Sequence, residues 1–213
     1  MRLAAELLNK AKRPLFMAGH GILISGAEDS FAKLVDQTGV PTIFTLLGLG
    51  SLPESHPQAL GLMGMHGHRH ANKALEECDL LVNIGARFDD RATGKVADFA
   101  PKAKVVHVDI DPAEIGKNVR TDVPVVGDAR QVINVMLQEV EPRTHDAWLS
   151  WIESQAMSYW RPLSRNDRRG QSHTRSSNPW VKPPAMMRSF RQTLGSTRCG
   201  RLSIWESNAR TAG

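Results

Sequence analysis

The chain has 213 residues but only two cysteines, Cys78 and Cys199, too few and too far apart for a disulfide framework or a Cys-x-x-Cys metal site. A reducing compartment is expected. No apolar run approaches the length of about 20 residues that spans a bilayer, and the first residues show neither a signal-peptide core nor an Arg- and Ser-rich transit pattern. These absences predict a soluble, cytoplasmic chain with no membrane partner. With 41% hydrophobic and 23% charged residues, the composition also excludes a disordered or collagen-like polymer.

The net charge of +5 conceals an asymmetry. From Arg161 to Gly213 there are 11 Lys+Arg against two acids, Asp167 and Glu206, so the first 160 residues hold 16 basic and 20 acidic side chains. The first part carries regular apolar blocks, and the second is rich in Arg, Ser and Pro with little periodicity. We therefore expect a domain over 1–142, a linker over 143–165 and a basic tail over 166–213.

Within the domain, Pro14-Leu15-Phe16-Met17-Ala18 predicts a buried strand entering a turn at Gly19-His20-Gly21. Ala27 to Thr38 has a helical spacing stopped by Gly39, and Val40 to Thr45 is a β-branched strand. A helix over Ala71 to Glu77, a strand over Leu80 to Gly85 and a strand over Val105 to Asp109 follow. A short helix over Pro112 to Lys117, a strand over Val123 to Val126 and a helix over Ala129 to Val140 complete the pattern. Strands apolar throughout are those covered on both faces, and helical crossovers are what a parallel sheet requires. The expected fold is α/β, a doubly wound parallel sheet.

Such sheets bind ligands at the carboxyl ends of their strands, where this chain concentrates glycines and charges. Gly19 and Gly21 either make a turn or admit a pyrophosphate to backbone amides. His66, His68 and His70 alternate in a loop without acidic or Cys partners at ligand spacing, which favours a solvated loop over a metal site. The Arg87-Phe88-Asp89-Asp90-Arg91 cluster is either a surface ion-pair group or, through Arg87, a phosphate contact. Asp109-Ile110-Asp111-Pro112 could bind metal, cap a helix or accept ribose hydroxyls, with capping and ribose favoured.

Three segments carry a resemblance: Leu62-Met63-Gly64-Met65-His66-Gly67, Arg87 through Lys95 (RFDDRATGK), and Val106 through Asn118 (VHVDIDPAEIGKN). In this order they resemble the central domain of the acetolactate synthase large subunits, over residues 1–160. That family joins pyruvate to a second 2-oxo acid with thiamine diphosphate and Mg2+, in branched-chain amino-acid biosynthesis. Its central domain holds an FAD that takes no part in redox turnover. The resemblance implies an FAD cradle here. His66, Gly67 and Asn72 through Gly85, Ala86 and Arg87 correspond to one FAD-binding stretch, and Asp109 and Ile110 through Asp128 to the other, with Gly19 and Gly21 beside them. Where the family usually has Thr-x-Tyr-Ala-Asn, this chain has His68-Arg69-His70-Ala71-Asn72, and His20 stands where Gly is common.

The resemblance also implies a homo-oligomer with a regulatory small subunit. In the family the activating Glu and the Mg2+ ligands lie in the flanking domains. The expectation is therefore an inactive fragment with no catalytic and no metal-binding residue. Another thiamine-diphosphate enzyme, such as a glyoxylate carboligase, and a non-catalytic nucleotide-binding module with a basic nucleic-acid arm are the alternatives. For the tail we favour a frameshifted reading, beginning between Trp160 and Gln171, over a nucleic-acid arm or a disordered linker. One permitted codon set for Arg191 to Trp205, read in another frame, gives Thr-Asp-Val-Gly-Gln-His-Gln-Met-Trp-Ala-Ala-Gln-Tyr-Leu, which resembles the start of the family's next domain.

Overall fold

A computed structural model of the protein describes residues 1–159. The elements run α1 (Arg2–Lys10), β1 (Pro14–Ala18), α2 (His20–Ile24), α3 (Glu28–Thr38), β2 (Thr42–Phe44), β3 (Ala59–Leu62), α4 (Arg69–Glu77) and β4 (Leu80–Ile84). They continue with α5 (Asp90–Thr93), β5 (Lys104–Asp109), β6 (Val123–Val126), α6 (Ala129–Glu139) and α7 (Asp146–Tyr159). The expectations of disorder and of a frameshift in the 166–213 tail lie outside the described residues.

All six strands are parallel, in the order β3-β2-β1-β4-β5-β6. The fold is the expected doubly wound α/β sheet. Strand order reverses between β1 and β4, so the loops leaving these two neighbours depart to opposite sides and open a crevice above the sheet. Alternation along the strands feeds two cores. Phe16, Ala18, Val82 and Val106 face α1, α2, α3 and α6 through Leu8, Ile22, Phe31, Ile133 and Met136. Leu15, Met17, Leu81 and Val105 face α4 and α7 through Ala71, Leu75, Trp148 and Ile152.

Local chemistry sets the helix ends. Glu28 and Asp29 lie in the first turn of α3, where the helix dipole favours negative charge, and Gly39 closes it with φ +62°. Asp128 caps α6 by accepting from the Gln131 N–H at 3.1 Å. The stretch Pro112 to Lys117, expected as a short helix, is instead a series of turns. Asp109 and Asp111 draw the chain into tight side-chain-closed turns there, accepting at 2.9 Å from the N–H groups of Asp111 and Ala113.

The expected linker contains α7, which is integral to the second core. Trp148 is 3% exposed and its indole N–H donates to the Pro14 carbonyl at 3.0 Å, while Ile152 is fully buried. Trp151 stacks on Trp148 at 5.1 Å and Arg13 lies over both rings.

Candidate functional site

A cleft of about 570 Å³ lies over the carboxyl ends of β1 to β4, at the reversal of strand order. Its floor is where two loops meet without side chains. A Cβ on Gly19 would stand 2.2 Å from the Gly85 carbonyl oxygen, and one on Gly21 would stand 2.7 Å from the Gly85 Cα. Gly85 itself has φ +65°, a conformation that L side chains rarely adopt. The N–H groups of Gly19 and Gly21 donate at 2.9 Å to the carbonyls of Ile84 and Gly85. These glycines join β1 to β4, and their amides are already engaged. A phosphate would therefore have to be met by other groups.

Arg87 and Arg91 supply such groups. Both are exposed at the cleft, and among the described residues neither guanidinium has an ion-pair partner. Asp89, in the same cluster, accepts from the Ala92 N–H at 3.1 Å and so caps α5. The cluster is a capped turn presenting two free cations, rather than a network of ion pairs.

Another part of the lining is apolar. Leu46, Leu47 and Met65 are 69%, 64% and 83% exposed, an unfavourable arrangement for side chains of this size unless something covers them. Leu62 and Met63 continue this wall, and His20 bridges to it through Nδ1 at 3.0 Å from the Leu47 carbonyl.

Of the residues expected to hold cofactor, the cleft brings together His66, Gly85, Ala86 and Arg87. Gly19 and Gly21 do not line it but pack against Gly85, which does. Gly67 is confined by the backbone, since a Cβ there would stand 2.5 Å from the Leu62 carbonyl oxygen. Asn72 clamps Gly64, accepting from its N–H and donating to its carbonyl, each at 2.9 Å, and so shapes the loop that carries Met65 and His66. Asp109, Ile110 and Asp128 stand at the ends of β5 and β6 and do not line the cleft. Asp109 closes a turn, Ile110 is 71% exposed and Asp128 caps α6.

The sequence reading missed the wall formed by Thr45, Leu46 and Leu47. The signal was available: leucines at 46, 47 and 49 follow directly on a strand end, where a solvated loop would be polar. His68 and His70 stack at 5.4 Å, but His70 turns inward and its Nε2 meets the Leu60 carbonyl at 2.8 Å. Among the described residues no cluster of three or more His, Cys, Asp or Glu could hold a metal ion.

Beneath the cleft, Asn83 and His107 are paired neighbours on β4 and β5 and are fully buried. Both meet the Ala86 carbonyl, Asn83 through its amide nitrogen and His107 through Nε2 at 3.1 Å. A carbonyl only accepts, so Nε2 carries the proton. Burial pushes the His107 pKa below its ordinary 6.5, partly opposed by Asp109. Among the described residues Asn83 Oδ1 and His107 Nδ1 have no hydrogen-bond partner, and a buried group so placed costs about 1–3 kcal/mol. Cys78 is buried too, and desolvation pushes its thiol up to about 12, which leaves it unreactive at neutral pH.

Comparison with known proteins bears on this geometry. The family described as "Thiamine pyrophosphate enzyme, central domain" matches residues 1–136. A Methanocaldococcus jannaschii protein named "Probable acetolactate synthase large subunit" is 49% identical over 152 residues, 70% of this chain and 26% of the relative. The "Acetolactate synthase large subunit" of Parasynechococcus marenigrum is 47% identical over 156 residues, 71% of this chain and 25% of the relative. That of Corynebacterium glutamicum is 43% identical over 155 residues, covering 70% and 25%. The matches thus span about a quarter of these relatives' length.

Proposed function

Because the chain belongs to the thiamine pyrophosphate enzyme family and carries its central domain, we propose that the described domain is an FAD cradle, the cofactor-holding centre of an acetolactate synthase large subunit. The observation that carries this reading is the cleft at the reversal of strand order, lined both by two guanidinium groups that have no ion-pair partner among the described residues and by exposed apolar side chains. An extended ligand with an anionic middle and a flat apolar end needs both. The side-chain-free junction of Gly19, Gly21 and Gly85 keeps the floor low, and any Cβ there would disrupt it.

Arg87 and Arg91 would hold the diphosphate, since the amides of Gly19 and Gly21 are engaged. Leu47, Met63 and Met65 would cover apolar ligand surface and exclude water. In this reading FAD is a structural group rather than a redox one. Thiamine-diphosphate chemistry belongs to the intact enzyme of the family. For that enzyme we propose condensation of pyruvate to 2-acetolactate with Mg2+, in a cytoplasmic homo-oligomer with a regulatory small subunit.

A flavin titration tests the cradle. FAD is expected to bind, and Arg87→Ala to weaken binding by about 1–3 kcal/mol, the worth of a charge-assisted hydrogen bond. Equal affinity for both proteins would remove Arg87 from the site, and no binding to the parent chain would overturn the reading.

A further inference from the structure

We infer that His107 and Asn83 are positioning residues for anion recognition: buried under the cleft, they fix the backbone on either side of Arg87 and so aim its guanidinium. This rests on the cradle reading for the identity of the anion, but the geometry stands by itself. Arg87 is exposed and has no partner of its own among the described residues. Its neighbours are held. On one side, the Ala86 carbonyl receives two donors, the Asn83 amide and His107 Nε2. On the other, the Phe88 ring is 2% exposed and packs edge-on against the His107 ring at 4.7 Å, while the Phe88 carbonyl accepts from Asn118 Nδ2 at 2.6 Å.

His107 therefore touches both flanking residues, one by hydrogen bond and one by its ring. Gly85 makes this possible, because its positive φ folds the chain back so that the Ala86 carbonyl points at the side chain three residues earlier. A second feature argues for function over packing. The positions next to these two on the same face, Leu81 and Val105, are apolar, as is usual for a sheet covered on both sides. At Asn83 and His107 the sheet instead buries two polar groups, each with an atom that has no partner among the described residues. Preorganisation explains the arrangement: a long cation on a fixed Cα loses less freedom when it meets phosphate.

The test uses the full chain and the His107→Phe, His107→Gln, Asn83→Leu and Arg87→Ala variants. Phe keeps the ring against Phe88 and leaves the Ala86 carbonyl its Asn83 donor, whereas Gln returns an amide nitrogen near the place of Nε2. His107→Phe is expected to keep a thermal transition near that of the parent and to speed hydrogen exchange over residues 85–89. FAD affinity should fall roughly tenfold, by analogy with the loss of residues that orient metal ligands, with recovery in His107→Gln. In the Arg87→Ala background, His107→Phe should weaken FAD no further.

An equal loss in both backgrounds would mean a general structural role and would overturn the proposal, as would parent-like exchange and affinity in His107→Phe. Asn83→Leu, similar in shape but without the donor, must show the same pattern and decides the matter if His107→Phe does not fold. If the parent chain binds no FAD, the cradle reading fails separately. The clamp then stands or falls on exchange over residues 85–89.

Discussion

His70, His107 and His145 are each buried, and loss of hydration is the main reason their pKa values fall below 6.5. Unfolding restores the ordinary value, so below pH 6.5 the unfolded chain binds protons that the folded chain refuses. Stability is therefore full above 6.5 and declines as pH falls through the lowered folded values. The slope cannot exceed about 1.4 kcal/mol per pH unit for each histidine. Thermal unfolding between pH 7.5 and pH 5 is expected to show this decline, and His107→Gln should flatten it, since one of the three groups no longer titrates. A pH-independent transition would mean that these rings take up protons without resistance.

At the scale of the element, α7 shows what composition hides. Its sequence, DAWLSWIESQAMSY, sits beside a composition break and was read as a linker, yet Trp148 and Ile152 complete the second core. Trp148→Ala is expected to destabilise the domain by about 3–5 kcal/mol, the usual cost of emptying a core position of that size. Chemical denaturation of the two proteins would measure it. The strands of the sheet's centre were readable because each is a largely apolar run ending at Gly or Asp, interrupted only by Asn83 in β4 and His107 in β5 after its first residue, and α3 and α6 because Phe31, Leu34, Ile133 and Met136 recur at helical spacing. β3 was not among the expected strands, since Ala-Leu-Gly-Leu on a sheet edge carries little β-forming pattern. In the cleft, Gly85 and Arg87 were legible from their place at a strand end, whereas Ala86 came only with the resemblance. The Asn72–Gly64 clamp was not, because a side chain closing on a backbone eight residues away leaves no local signature.

For the whole molecule, both cores are built, among the described residues, from side chains no later than Ile152. Deleting residues 166–213 is therefore expected to leave the thermal transition and the FAD affinity close to those of the full chain, while the loss of so many arginines should lower salt-sensitive retention on nucleic acid. A large fall in the transition would assign the tail a part in the fold. The bond from Trp148 to the Pro14 carbonyl has a further consequence, set by the order in which a ribosome makes the chain. Its partners lie 134 residues apart, so the first strand leaves the exit tunnel long before the helix that covers it exists. At synthesis rates of about 5–20 residues per second, the wait is on the order of ten seconds. Through that interval Leu15 and Met17, fully buried in the finished fold, belong to a half-made sheet, and the nascent domain is a natural client for chaperones.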